Sequence, residues 1–428
     1  MSQISTPTDN TNTESLKQKV NSSTLKSFSI KKLFGYKNVN LEFDKAATLL
    51  IAENGAGKTT ILNIIYYSLN CRFEKLIQID FQEIEIKFRS GASVIIKKNM
   101  LKKANFQPAI SNSLKTRIIH VITHGLEDYD PGDSLEEEII QKQKATIRKN
   151  IGQTILYFPT YRRIEEELSN LGYQDGVADF VSNIPEGLLI KFGMSDVEKK
   201  IEELTDNIKS SALDLFQKAT GAMLSQLVED EPITSEMRKN IDFETLNIVL
   251  GRIGENNIPK KAEIEKLIQS GHLYEDSGKY DKLVYLLAKI LELYEQQIAV
   301  EASIKKFVEI CNQYLIDKKV IYDEKTVIIY IIDRRKKKEI KIGDLSSGEK
   351  QIISLFSKIF LETDEDFILL FDEPELSLSI EWQRLLLPHI LSSERCKMML
   401  AVTHSPFIFD NELDELAQDL DVFVDEEY

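Results

Sequence analysis

Cysteine is scarce: three in 428 residues, Cys71, Cys311 and Cys396, none at metal-ligand spacing from another. That excludes a disulfide framework and fits a reducing, cytoplasmic setting. Long apolar runs are missing too. No stretch approaches the roughly 18 residues that a membrane-spanning helix needs, so an integral membrane protein is excluded. Residues 1–26 are rich in Ser, Thr, Asn and Gln and lack an apolar h-region. They read as a disordered tail and not as a secretory signal. Positive charge is in deficit: 54 Lys and Arg against 69 Asp and Glu leave a net charge of −15. A chain whose whole surface grips nucleic acid is thereby disfavoured. The basic clusters are local, at Lys97, Lys98, Lys102 and Lys103, and from Arg334 to Lys338. The second lies between two β-rich runs and reads as a solvated hairpin tip. No internal repeat is found.

What is present is an ordinary globular composition, 42% hydrophobic and 29% charged, with length enough for one large core or two modest ones. Short β-like runs open the folded part at Phe28–Lys32, Val39–Phe43 and Thr48–Ala52. The third runs into a Gly-rich turn and a helix, Thr59–Leu69. Alternation at Phe81–Phe88 and Ser93–Lys98 predicts an antiparallel pair. Residues 100–150 read as irregular and polar, with a turn at Pro131-Gly132. A strand follows at Thr154–Phe158. Residues 164–317 read as a helical insertion. It opens on a Ser195/Glu198 capping box, and carries one apolar stripe through Ile201, Leu204, Ile208 and Leu215 and another from Leu283 through Leu287, Ile290 and Tyr294 to Ile298. The β pattern returns at Lys319–Ile332, Phe367–Phe371 and Met398–Thr403. The expected organisation is a discontinuous α/β lobe of residues 27–163 and 318–410, the helical lid at 164–317, and an acidic tail at 411–428.

Four motifs carry chemistry. Between strand and helix stands Ala52-Glu53-Asn54-Gly55-Ala56-Gly57-Lys58-Thr59-Thr60. Backbone N–H groups of such a turn, with the positive end of the next helix, wrap phosphates. Lys58 would reach the β- and γ-phosphates of ATP, and the Thr59 hydroxyl would ligate Mg2+. Ala52 departs from the pattern, whose leading position is Gly. The second motif is the apolar strand delivering Asp372 and Glu373 at its C-terminal end, the edge where α/β sheets hold ligands. Asp372 would hold the Mg2+ shell and Glu373 would orient and deprotonate the attacking water. Third, Ser346-Ser347-Gly348-Glu349 opens an apolar helix, a Ser- and Gly-rich helix start fit for an anion such as the γ-phosphate of another protomer's ATP. Fourth, His404 follows the last buried strand, where it can bond the γ-phosphate and place the water.

In this order the motifs resemble the P-loop, signature, Walker B and switch histidine of ABC-type ATPases, the class of SMC, RecF and OLD-like proteins. The signature is similar to the LSGGE form, and Asp372-Glu373-Pro374-Glu375 to the DEPE form of OLD-like ATPases. The resemblance covers about Lys26 to Asp410. It implies an α/β ABC-type head with a large helical insertion, working as an ATP-sandwiched homodimer or a larger assembly. Lys58, Thr59, Asp372, Glu373 and His404 would act in cis, and Ser346 and Gly348 in trans. The D-loop would be Ser377-Leu378-Ser379. A Q-loop glutamine is missing, its place taken by Phe158-Pro-Thr-Tyr-Arg-Arg163, where Arg162 or Arg163 would contact phosphate or cap the next helix. Tyr36 is a candidate for stacking adenine.

The stretches FPTYRRIE and DEPELSLS further resemble stand-alone ATPase subunits of bacterial antiphage systems such as PARIS and Septu. The two dozen residues after His404 are too few for a nuclease domain, so an effector such as a nuclease is expected on a separately encoded chain. The alternative is a RecF/SMC-like DNA-repair head acting on DNA directly, and a transporter subunit is a third, weaker reading.

Overall fold

The computed structural model describes residues 21–53, 55–103, 133–159, 194–229, 233–234, 237–238, 241–254, 256–271, 273, 278–295 and 298–426. In chain order the first half supplies β1 (Leu25–Leu33), β2 (Lys37–Glu42), β3 (Ala47–Ile51), α1 (Lys58–Leu69), α2 (Phe73–Leu76), β4 (Glu83–Phe88), β5 (Ser93–Lys97), α3 (Lys98–Lys103), α4 (Asp133–Asn150) and β6 (Thr154–Phe158). Helices follow: α5 (Met194–Glu229), α6 (Phe243–Ile253), α7 (Lys261–Gln269), α8 (Asp281–Glu295) and α9 (Ile298–Tyr314). The rest comprises β7 (Lys318–Asp323), β8 (Ile328–Asp333), β9 (Lys338–Ile340), α10 (Ser347–Phe356), β10 (Phe367–Asp372), α11 (Ile380–Leu391), β11 (Cys396–Thr403), β12 (Ala417–Asp419) and β13 (Val424–Glu426). Contacts divide the chain into two units, Met1–Lys191 with Glu365–Tyr428, and Phe192–Asp364.

The first unit holds two sheets. One has the order β12-β3-β11-β10-β6 and its pairs are parallel. Every residue of β10 is buried, which is why Phe367–Phe371 is continuously apolar: a parallel strand covered on both faces has no polar side to show. Register sets Ile51 beside Thr403 and Asp372 beside Val402. The loops that leave β3, β10 and β11 therefore emerge side by side at one edge. The other sheet, β13-β2-β1-β4-β5, is antiparallel. Its β4 and β5 alternate buried and open positions, with Ile84, Ile86, Val94 and Ile96 facing a core shared with α1.

The second unit packs its helices around Leu246, Val249, Val284, Leu287 and Ile290. Inside it, Arg252 on α6 meets Glu301 on α9 through both terminal guanidinium nitrogens, at 2.5 and 2.8 Å. Those side chains are 2% and 3% exposed, and Tyr294 adds a hydroxyl donor to the same carboxylate at 3.1 Å. A three-stranded sheet, β7-β8-β9, belongs to this unit too.

Several expectations are corrected. Residues 133–150 form a helix, not an irregular segment: it is charged on its open sides and, among its described side chains, buries only Ile140 and Ile147, two turns apart, too thin a stripe to read. The stripe ending at Ile298 spans two helices, and Ile298 is exposed at the start of α9. Of the segment 318–410, assigned to the head, residues 318–364 group with the helical unit. Within the expected acidic tail, β12 and β13 each add an edge strand, to β3 and β2, while Leu413 and Leu420 are buried. Residues 21–26 are packed: Asn21 donates to the Phe43 carbonyl at 2.6 Å, and Leu25 is fully buried. The Pro131-Gly132 turn lies outside the described residues, as do residues 1–20. The Ser195 side chain does too.

Candidate nucleotide site

The phosphate loop is built by β3 and α1. The Ala52 N–H donates to the Thr403 carbonyl at 3.1 Å, so β3 is still pairing where the loop begins. Ala52 is buried and keeps ordinary negative φ, which explains why alanine serves where glycine is usual. Gly57, the N-cap of α1, has φ of 93° and no side chain to satisfy the helix's first N–H groups. A Cβ there would stand 3.0 Å from the Phe34 ring. Position 57 thus requires glycine twice over, for its left-handed backbone and for the close aromatic neighbour. The uncapped start of α1, at Lys58, Thr59 and Thr60, is an anion-binding end. Gly55 is also left-handed, Glu53 accepts from the Ala56 N–H at 3.3 Å, and Asn54 lies outside the described residues.

Three strand ends bring the chemistry together. Lys58 is 6% exposed; its ammonium donates to the Ala52 carbonyl at 3.1 Å and lies 3.5 Å from Glu373 Oε1. The Thr59 hydroxyl donates to Asp372 Oδ2 at 2.6 Å, across 313 residues of sequence. Glu373 takes φ of 47°, sparse for a non-glycine residue, and its N–H is held by the Val402 carbonyl at 2.9 Å. His404 Nδ1 is 3.9 Å from Glu373 Oε1. Lys58, Thr59, Asp372, Glu373 and His404 therefore surround one small volume at the mouth of the parallel sheet, within one unit. Under it, burial and the Asp372 charge push the Tyr157 hydroxyl well above the usual tyrosine range.

One contributor was missed at the sequence level except as a letter of the DEPE pattern. Glu375, 6% exposed, accepts from the Thr403 hydroxyl at 2.8 Å and from the His404 N–H at 3.1 Å, and His404 Nδ1 lies 3.1 Å from its Oε1. Two residues beyond a Walker B glutamate, an acid usually belongs to a solvated loop. Only the turn after β10 shows it folded inward.

Ser346, Ser347, Gly348 and Glu349 lie in the second unit. Ser346 caps α10 in a full capping box with Glu349. Lys318, the first residue of β7, reaches the same carboxylate at 2.5 Å. Burial would push that carboxyl up, but the Lys318 and Ser346 hydrogen bonds outweigh it and hold it below its ordinary value. Of the Q-loop position, Phe158 is buried and Thr160 to Arg163 lie outside the described residues. Ser377 has φ of 63°, in the turn expected as the D-loop. Tyr36 is partly exposed in the β1–β2 turn with the Lys37 ammonium 5.6 Å from its ring centroid.

Several members of the basic clusters are paired with acids. Lys97 pairs with Glu83, Lys98 with Asp80 and Lys103 with Glu136. Arg334 to Lys337 is the turn joining β8 to β9, with Arg335 on Asp317. Among the described residues no helix is long and apolar enough to cross a membrane.

Comparison with known proteins gives two kinds of match. No curated protein matches the chain. Solved structures similar to it include an Smc head bound to the C-winged helix domain of ScpA, at 12% identity, 90% of each chain and a TM-score of 0.35. Another is an Smc head domain with an extended coiled coil bound to the C-terminal domain of ScpA, derived from Pyrococcus furiosus. It has 14% identity, covers 90% of this chain and 91% of that one, and scores 0.34. A family model described as AAA ATPase domain matches residues 24–409. That span runs from the start of β1 to beyond His404, so the chain belongs to the AAA ATPase domain family, as an ATP-binding ATPase of mixed α/β fold with a helical insertion.

Proposed function

We propose that the chain is a nucleotide-gated switch that binds and slowly hydrolyses ATP between two copies of itself and controls a separately encoded effector in antiphage defence. The observation that carries the catalytic part is the convergence of Lys58, Thr59, Asp372, Glu373 and His404 from three adjacent strand ends. In this reading the first N–H groups of α1 and the Lys58 ammonium take the β- and γ-phosphates in place of the Ala52 carbonyl and Glu373. Release of Glu373 from Lys58 leaves its carboxylate to orient the attacking water and take its proton. Phosphoryl transfer needs little more than position and charge, which these residues provide.

Thr59 and Asp372 present two hard oxygens 2.6 Å apart, a donor pair suited to Mg2+, which keeps most of its shell as water and phosphate oxygens. Bound with ATP, Mg2+ would neutralise charge on the β- and γ-phosphates. Ser346, Ser347, Gly348 and Glu349 would complete the site of a second copy, making an isologous dimer with ATP in the interface. The antiphage role rests on the resemblance of the DEPE and FPTYRRIE segments. The net charge of −15 and the paired lysines favour a protein partner over nucleic acid.

Two measurements test this. Glu373→Gln should bind ATP normally, slow hydrolysis by about 100-fold or more, and accumulate as a dimer with ATP on size-exclusion chromatography. Wild-type turnover by that variant would remove the general-base role. Lys58→Ala should abolish ATP binding in a filter assay. Affinity capture of the Glu373→Gln protein from cells challenged with phage should bring down a nuclease or other toxin, and a capture that yields only the chain itself would end the effector proposal.

A further inference from the structure

The turn between β10 and α11 folds a carboxylate into the protein beside the switch histidine. Both Glu375 oxygens are engaged by the end of β11: Oε2 by the Thr403 hydroxyl at 2.8 Å, and Oε1 by the His404 N–H at 3.1 Å. Oε1 also lies 3.1 Å from His404 Nδ1. An ionised carboxylate only accepts, so a hydrogen bond there requires the proton on Nδ1. The turn itself is braced. Gln383 on α11 donates to the Leu378 carbonyl at 3.0 Å and accepts the Ser405 hydroxyl at 2.7 Å, fixing the residue after His404. Ser405 N–H in turn donates to Thr403 Oγ1 at 3.0 Å. Glu375 and Gln383 are both buried while the His404 side chain is 47% exposed. A rigid, buried acceptor thus holds one edge of a ring whose other edge is open.

We propose that Glu375 is a positioning residue for ATP hydrolysis, which acts by holding His404 in the Nδ1–H tautomer. The neutral ring then carries its proton on Nδ1, the nitrogen that faces Glu375 and lies 3.9 Å from Glu373 Oε1, and keeps Nε2 as its acceptor. An unprotonated Nε2 can accept a proton from water but cannot donate to a γ-phosphate oxygen, which only accepts. The carboxylate also sets the ring plane, because His404's own N–H and Nδ1 share one oxygen. This inference rests on the hydrolytic reading of the site, and part of its test is independent of that reading.

Glu375→Met removes the acceptor at similar volume, and Glu375→Gln keeps an oxygen for it. Glu375→Met should lower kcat by about 10- to 100-fold, in the range typical of lost supporting hydrogen bonds, with KM for ATP within about twofold. Glu375→Gln should restore most of the rate. Since Glu375 acts through His404, Glu375→Met combined with His404→Ala should be no slower than His404→Ala alone, whereas two independent losses would multiply. Multiplying losses, or a Gln variant as slow as Met, would overturn the proposal. 15N NMR of histidine-labelled full-length protein at alkaline pH, assigned by His404→Ala, reads the tautomer directly. His404 should carry its proton on Nδ1 in the wild type and shift toward Nε2–H in Glu375→Met; Nε2–H in the wild type would overturn the proposal whether or not the protein turns over ATP. Absent wild-type hydrolysis with the Nδ1–H form intact would instead remove the hydrolytic reading, and with it the kinetic role of Glu375.

Discussion

Single positions at the site are constrained by more than one force at once. Gly57 must be left-handed and must leave room for Phe34. Gly57→Ala is therefore expected to cost about 1–2 kcal/mol from the backbone alone, and more from the ring contact. Thermal unfolding of Gly57→Ala with and without Phe34→Ala separates the two, since removing the ring should recover the steric part and leave the backbone part. Glu373 shows the converse, a non-glycine residue kept left-handed by its N–H bond to Val402 at 2.9 Å. Unfavourable backbone of this kind is common near functional sites.

Elements set which residues meet. The parallel pairing of β3, β11 and β10 puts Ala52, His404 and Glu373 at neighbouring strand ends, a consequence of register and not of any local preference. In the second unit the start of α10 is tied to β7 by the Lys318–Glu349 ion pair. Both side chains are mostly covered, and the hydrogen bonds hold the Glu349 carboxyl below its ordinary value of 4.5. A depressed folded-state value means that the stabilisation is complete above 4.5 and is lost as pH falls through the lower value. Lys318→Met should then destabilise the protein by about 1 kcal/mol at neutral pH. The gap to wild type in urea unfolding should close as the pH drops below 4.5, the ordinary value from which Glu349 is held down. A gap that stayed constant into acid would show that the pair contributes through packing only.

Across the molecule, each unit has its own stabilising device. In the helical unit the buried Arg252–Glu301 pair joins α6 to α9, with Tyr294 on the same carboxylate. Arg252→Met strands a buried charge and should cost about 3–5 kcal/mol, whereas adding Glu301→Leu should recover much of it. Urea unfolding of the two variants decides the matter. In the nucleotide-binding unit, β12 and β13 each cover one edge of a sheet, pairing with β3 and β2, and Leu413, Leu416 and Leu420 are buried. Deleting residues 411–426 should expose those edges and leave aggregated protein, detectable as loss of the monodisperse fraction on size-exclusion chromatography.

The sequence by itself determined the phosphate loop, the acidic strand end, the helix start at Ser346 and most strands of the first unit. Each rests on spacing within a few residues: glycine next to lysine, an apolar run before acids, a serine three residues ahead of a glutamate. Tertiary structure alone decided the rest. The helix at 133–150 buries only Ile140 and Ile147 among its described side chains, so its pattern is that of a solvated loop until a sheet covers it. The final acidic segment becomes edge strands because the unpaired backbone of β3 and β2 accepts it, and strand pairing is blind to charge on the open side. Glu375 became part of the site for the same reason. Its letter stands beside the Walker B acids, but its partners Thr403 and His404 arrive from 28 and 29 residues away, and only the fold could bring them to it.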